Sequence, residues 1–259
     1  MFKHAIVRKP GENFSQGLTS VSQGSLGAPD FAKALEQHAA YCAALQECGL
    51  ELTVLEKDLD HPDSTFVEDT AVLTPGAAIL SRPGDDSRAG EVDRIKDTVL
   101  ARFARHYRIQ APGTMDGGDI CEAGSHFFIG VSHRTNEEGA RQLAGFLAQE
   151  GCTSSFVDIR AMTSILHLKS GIACIGDNTL VLMEELADNP LFKGYRIIRV
   201  AERETYAANC VRINDRVFMP SGYPGLEADL RGAGFNPLVL DMSEFRKMDG
   251  GLSCLSLRF

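Results

Sequence analysis

The sequence predicts an α/β protein in which short β-hairpins are arranged about a centre and helices lie outside them. Three observations carry this expectation. A unit of about 40 to 50 residues recurs along the chain, the period of repeated supersecondary units. Each unit opens on a loop rich in Asp, Gly or His and continues into two short apolar strands. Helical apolar spacing follows several of the hairpins.

Taken in order, the N-terminal run Ala5-Ile6-Val7 reads as a strand. Pro29 and Asp30 open a helix whose Phe31, Leu35, Tyr41, Cys42 and Leu45 keep helical spacing until Gly49 stops it. The first complete unit begins at Phe66-Val67-Glu68-Asp69, with Ala71-Val72-Leu73 pairing with Ala78-Ile79-Leu80. Val92, Ile95, Val99 and Phe103 then predict a helix with Arg102 and Arg105 toward its end. The second unit starts at Asp116-Gly117-Gly118-Asp119, pairing Ile120-Cys121 with Phe127-Phe128-Ile129. Thr135 and Glu138 have the spacing of a capping box before Leu143, Phe146 and Leu147, and Gly151 ends that helix. The third unit, from Leu166-His167-Leu168-Lys169, pairs Ile172-Ala173-Cys174 with Leu180-Val181-Leu182. In the fourth, Ala208-Asn209-Cys210 leads into Val211-Arg212-Ile213, facing Arg216 to Met219, and a short helix follows Pro224 through Leu226 and Leu230. The last opens at Ser253-Cys254 and must borrow its second strand from Ala5-Ile6-Val7, which brings the two ends of the chain together. No Pro-, Ser- or Gly-rich linker divides the chain, so residues 1–259 are expected to form one domain.

Composition narrows the function. A net charge of −9 with no basic run argues against nucleic acid and suits a cationic small molecule. No apolar run approaches the roughly 20 residues of a membrane span, and the N-terminal run is too short for a signal peptide, so a cytoplasmic protein without membrane association is expected. The seven cysteines are scattered, with neither a C-x-x-C pair nor zinc-ribbon spacing, and most are expected to be reduced, buried thiols. Phosphate-loop, dinucleotide, nucleophile-elbow and zinc-helix motifs do not occur.

The candidate chemistry stands at equivalent points of the repeats: Glu68 and Asp69, Asp116 and Asp119, His167, Asn209 and Cys254. If the repeats surround an axis, these loops meet in one place. Cys254 follows Gly250-Gly251, a turn that leaves room for a ligand beside the main chain. A thiol with pKa near 8.5 becomes a nucleophile only beside a base or a positive charge, and His167 is the candidate partner. Alone, a histidine in so apolar a run is more often a core residue; its repeat position favours chemistry. Asp116-Gly117-Gly118-Asp119 fits a tight turn equally well. Glu68 and Asp69, with Asp63, carry enough negative charge to hold a cation, and carboxylates there are costly unless paired or solvated. Arg88 and Arg134 follow successive hairpins and have the fork geometry to clamp a carboxylate.

These segments together, with Gly17-Leu18-Thr19-Ser20, Arg134-Thr135-Asn136, Tyr206-Ala207-Ala208-Asn209-Cys210, Met219 to Pro224 and Asp249 to Phe259, give a sequence that resembles the dimethylarginine dimethylaminohydrolase family nearly end to end. That family belongs to the guanidine-modifying superfamily. The resemblance implies a five-bladed α/β propeller with its active site on the axis. It implies Cys254 as nucleophile, His167 as general acid/base and Asp116 as the third catalytic residue, where some relatives carry Glu. Asp69 and Glu68 would engage the cationic end of a methylated arginine, while Asp63, Arg88, Arg134, Leu18 and Met248 would hold its amino-acid end. The activity implied is hydrolysis of N-methylated arginines to citrulline through a covalent thiouronium, with no cofactor and no metal. The alternatives are an arginine deiminase-like hydrolase releasing ammonia and a non-catalytic arginine-ligand or zinc-binding protein. A homodimer is compatible with the sequence.

Overall fold

Strand β1 (His4–Arg8) runs parallel to β2 (Glu51–Leu55), and this pattern of a central strand with a parallel outer neighbour recurs five times. The computed structural model describes residues 1–20 and 24–259. The second sheet holds β3 (Ala71–Leu73), β4 (Ala77–Leu80) and β5 (Arg105–Arg108); the third holds β6 (Ile120–Ala123), β7 (His126–Val131) and β8 (Thr153–Asp158). The fourth consists of β9 (Ile172–Cys174), β10 (Thr179–Met183) and β11 (Arg196–Val200). In the fifth are β12 (Val211–Ile213), β13 (Arg216–Pro220) and β14 (Pro237–Leu240). Finally β15 (Leu257–Arg258) pairs antiparallel with β1, Ile6 opposite Leu257, and completes the first sheet. In every sheet the first strand is antiparallel to the central one and the third is parallel to it. The architecture is a five-bladed α/β propeller, closed by the two ends of the chain as the repeats predict.

The parallel third strands need crossovers, and helices supply several of them. Helix α1 (Phe31–Glu47) is capped by Asp30, whose carboxylate accepts from Lys33 N at 3.1 Å. It buries Ala34, Tyr41, Ala44 and Leu45 toward the sheets, and complete burial of one residue such as Leu45 is worth roughly 2 kcal/mol. The region predicted as one helix from Val92 to Phe103 is shorter: a 3-10 segment Asp86–Glu91 precedes α2 (Lys96–Leu100), and Arg105 already belongs to β5. Helix α3 (Glu137–Gln149) is capped by Asn136, which accepts from Gly139 N at 2.8 Å. The expected capping box at Thr135 therefore shifts by one residue, because the Thr135 hydroxyl is turned inward to accept from Asp116 N at 3.1 Å. Helix α4 (Pro224–Gly232) starts on its proline as expected, and α5 (Ser243–Arg246) is a single turn before the Cys254 segment.

The apolar core fills the layers between neighbouring blades and beneath the helices. One such layer joins Phe128, Leu180, Val181, Val217 and Leu226 from three sheets and α4. Around the axis the first strands line a cavity through Val72, Ile120, Ile172, Val211 and Leu257. Among the described residues no helix is long and apolar enough to cross a membrane.

Candidate active site

Each first strand is entered through a short 3-10 segment: Val67–Thr70, Gly117–Asp119, Leu168–Ser170, Glu202–Ala208 and Ser253–Leu255. These segments converge near the axis, and they carry or adjoin all the polar repeat residues. Cys254 and His167, far apart in sequence, line one cavity together with Leu18, Asp63, Asp69, Arg88, Arg134 and Met248. Phe66, Leu166, Asp249 and Gly250 complete its wall.

Asp116 holds His167 at its Nε2 atom, 3.0 Å from Oδ2, and its other oxygen accepts from Gly84 N at 2.8 Å. Nδ1 of His167 is the nitrogen left for proton exchange. It lies beside Gly118, where a Cβ would come within 2.8 Å of Nδ1 and 2.9 Å of Asp69 Oδ1, so the glycine is required by space. Asp119, fully buried, accepts from Leu168 N at 2.9 Å and Ser132 Oγ at 2.6 Å. Ser132 Oγ in turn accepts Arg134 N at 2.9 Å, which ties the turn bearing Arg134 to the turn bearing His167.

Asp69 accepts Gly118 N at 2.7 Å and meets Arg88 at 2.5 Å. Burial works against its charge, but Arg88 and His167 prevail and hold its carboxyl down at about 2. Arg88 is saturated by Asp69, by both oxygens of Glu91 at 2.9 and 2.7 Å, and by the Phe66 carbonyl at 3.3 Å. Although Arg88 reaches the cavity wall, its guanidinium is held by Glu91 and Asp69 rather than facing open space. Asp63 receives Leu18 N at 3.0 Å, and its carboxyl is raised by burial despite Arg88. Arg134 keeps a loose contact of 3.7 Å with Asp85 and remains the least committed cation of the pair.

The thiol and the imidazole do not rest as a preformed thiolate–imidazolium pair, because the sulfur keeps its proton. Burial and then the charges of Glu68 and Asp69 push the Cys254 thiol up to about 12. For His167, burial favours the neutral ring, yet the charge of Asp69, the Asp116 hydrogen bond and the charges of Asp119 and Asp116 raise it to about 9. At neutral pH the site therefore holds a protonated thiol and an imidazolium.

Glu68 departs from its expected place. It adjoins the axial cavity, not the one lined by Cys254, and it pairs with Lys169, with Arg258 at 3.2 Å and with Ser253 Oγ at 2.8 Å. Its carboxylate acts on Cys254 through its charge. Asp116 likewise does not line the Cys254 cavity; its contact is to His167. Sequence reasoning placed Asn209 at a repeat position without a role, and passed over Lys169, Arg258 and Asp249. Asp249 was signalled by its position before two glycines; it takes a positive φ of 55° and accepts from the Ser20 hydroxyl at 2.7 Å. Asp69, Asp116 and His167 each offer a ligand atom within 4.8 Å of the others, but all three are engaged in the hydrogen bonds described above, and Arg88 stands beside them.

Residues 29–215 match the family described as N,N dimethylarginine dimethylhydrolase, eukaryotic. A Pseudomonas aeruginosa protein named N(G),N(G)-dimethylarginine dimethylaminohydrolase is 46% identical over 100% of both chains. This chain belongs to the dimethylarginine dimethylaminohydrolase family. Dimethylarginine dimethylaminohydrolases are hydrolases, and the fold agrees closely: a crystal structure of the Pseudomonas aeruginosa enzyme, a cysteine-to-serine mutant complexed with citrulline, superimposes with a TM-score of 0.96 at 46% identity, covering 100% of each chain. The N-terminal domain of ArgZ, a cyanobacterial arginine dihydrolase, shares the fold at 18% identity and a TM-score of 0.87 over 98% of this chain and 96% of that one. The dimethylarginine dimethylaminohydrolase fold of the Pseudomonas aeruginosa enzyme is thus shared by this chain over its whole length.

Proposed function

We propose that this protein hydrolyses N-methylated arginines, asymmetric dimethylarginine and monomethylarginine, to citrulline and dimethylamine or methylamine. The observation that carries the reading is the shared cavity of Cys254 and His167, with the anionic Asp69 beside them and Asp63, Leu18, Arg134 and Met248 around it. Asp69 supplies the charge that attracts a guanidinium. Arg134 faces the carboxylate of the amino-acid end, and Asp63 its ammonium.

A thiol held up at about 12 cannot attack unaided. The bound guanidinium places a positive charge beside the sulfur, which lowers its pKa and lets the proton leave to solvent. The thiolate adds to the guanidinium carbon and forms a C–S bond. As the tetrahedral adduct collapses, the C–N bond breaks and Nδ1 of His167 gives its proton to the departing amine. The thiouronium that remains is attacked by water, whose proton passes to the now neutral His167. The C–S bond then breaks, citrulline leaves, and the sulfur departs as thiolate. Asp116 keeps the ring oriented and favours its imidazolium form through both steps.

The test is product analysis with dimethylarginine, monomethylarginine, arginine and agmatine offered separately. Citrulline with dimethylamine from the first is expected, and arginine should be a far poorer substrate. Cys254→Ser should lower turnover by at least about 10³-fold while calorimetry still registers substrate binding. Unimpaired citrulline formation by that variant overturns the assignment of the nucleophile.

A further inference from the structure

The side chain of Asn209 touches the turns on both sides of the reaction. Its Oδ1 accepts Ser253 N at 3.0 Å, one residue before Cys254. Its Nδ2 donates to Lys169 O at 3.0 Å, two residues after His167, and to Ser253 Oγ at 3.2 Å. Asn209 is buried and does not line the cavity that holds Cys254. The chain leaves space for it: a Cβ on Gly251 would run into the Asn209 amide. Gly251 O also accepts Cys254 N at 3.2 Å, so the glycine that admits Asn209 belongs to the nucleophile's own turn.

Comparable bonds link the other turns. Asp69 accepts Gly118 N, and Asp119 accepts Leu168 N, each reaching from one blade's turn to the next. Those backbone N–H groups are held by carboxylates, whereas the backbone N–H of the Cys254 turn is held by an amide, Glu68 meeting that turn at the Ser253 hydroxyl instead. The difference has two chemical reasons. Only the amide has a donor with which to grip Lys169 O as well as Ser253 N. A carboxylate there would also place a further anion close to a thiol that already faces Glu68 and Asp69, opposing its ionisation.

Building on the assignment of Cys254 as nucleophile, we propose that Asn209 is a positioning residue for the reaction, locking the nucleophile's turn to the turn of the acid/base His167. It sets the distance between sulfur and imidazole without touching substrate.

The experiment compares wild type with Asn209→Ala and Asn209→Asp in three readouts: kcat and KM for dimethylarginine, thermal midpoint, and the pH dependence of Cys254 alkylation by iodoacetamide, located by peptide mass. Asn209→Ala should lower kcat by about 30- to 100-fold, as expected for a displacement near 1 Å at the reacting atoms, and leave KM within about threefold. Asn209→Asp keeps the acceptor for Ser253 N but adds charge, so alkylation should require higher pH than in wild type. A kcat for Asn209→Ala within about threefold of wild type overturns the proposal, as does a KM rising in step with the loss of kcat. If Asn209→Ala fails to fold, Asn209→Asp decides: an unshifted alkylation profile overturns it. Alkylation needs no turnover, so failure of wild type to form citrulline would refute the proposed function while this arm still reports on Asn209.

Discussion

His167 keeps its proton in a setting that would ordinarily remove it, because Asp69, Asp116 and Asp119 together outweigh burial. Asp116→Asn preserves the bond to Gly84 and removes the charge facing Nε2. The basic limb of kcat, which depends on His167 as proton donor, should then move to lower pH, with kcat reduced about 10- to 100-fold; a pH–rate profile checks both. The same raised pKa affects stability with a definite sign. A group at about 9 in the folded chain and 6.5 as a free imidazole contributes fully below 6.5, and that contribution is lost as pH rises through 9. Denaturant unfolding of wild type should therefore lose on the order of 3 kcal/mol across that window relative to His167→Gln. Asp69 behaves in the opposite direction, its contribution fading only as the solution becomes strongly acidic, toward pH 2. At this scale the sequence was legible for the meeting of Cys254 and His167 in one cavity. It was not legible for Glu68, whose cationic partners Lys169 and Arg258 lie 101 and 190 residues away.

The elements that place these side chains are the 3-10 turns, whose glycines are fixed by crowding rather than by unusual dihedrals. Gly118→Ala would drive a methyl group against Asp69 and His167. The expected result is about a tenfold or greater fall in kcat at a stability cost of about 1 to 3 kcal/mol, with unchanged far-UV circular dichroism. Between turns, Glu68→Gln leaves Lys169 and Arg258 facing an uncharged amide. Both are only slightly exposed, so urea unfolding should reveal a loss of about 3 kcal/mol. The hairpins were readable because their turns advertise themselves: Asp177 and Asn178 adopt φ of 50° and 53°, the left-handed pair that Asp and Asn tolerate between strands. Helix boundaries were less readable. Thr135 and Asn136 are both good caps, and only the demand of Asp116 N for an acceptor determines which one faces the helix.

Across the whole molecule, the repeat period foretold the number of blades and the pairing of chain ends, since an odd hairpin half at Ser253-Cys254 needed a partner and only Ala5-Ile6-Val7 was unclaimed. What the period could not foretell was that Glu68 lines a cavity other than that of Cys254, where it pairs with Lys169 and Arg258 from segments distant in sequence. The pairing of β15 with β1 has a practical consequence. The segment that fastens the ring also carries Cys254, so under the proposed mechanism fraying at this seam is expected to abolish turnover while the other four sheets remain intact. In a Leu257→Ala variant, titrated with urea, turnover should vanish at a lower concentration than the circular dichroism signal; coincident midpoints would mean that the seam and the body melt as one. Inactivation is then an early warning of a loosened seam, not a report on the collapse of the protein.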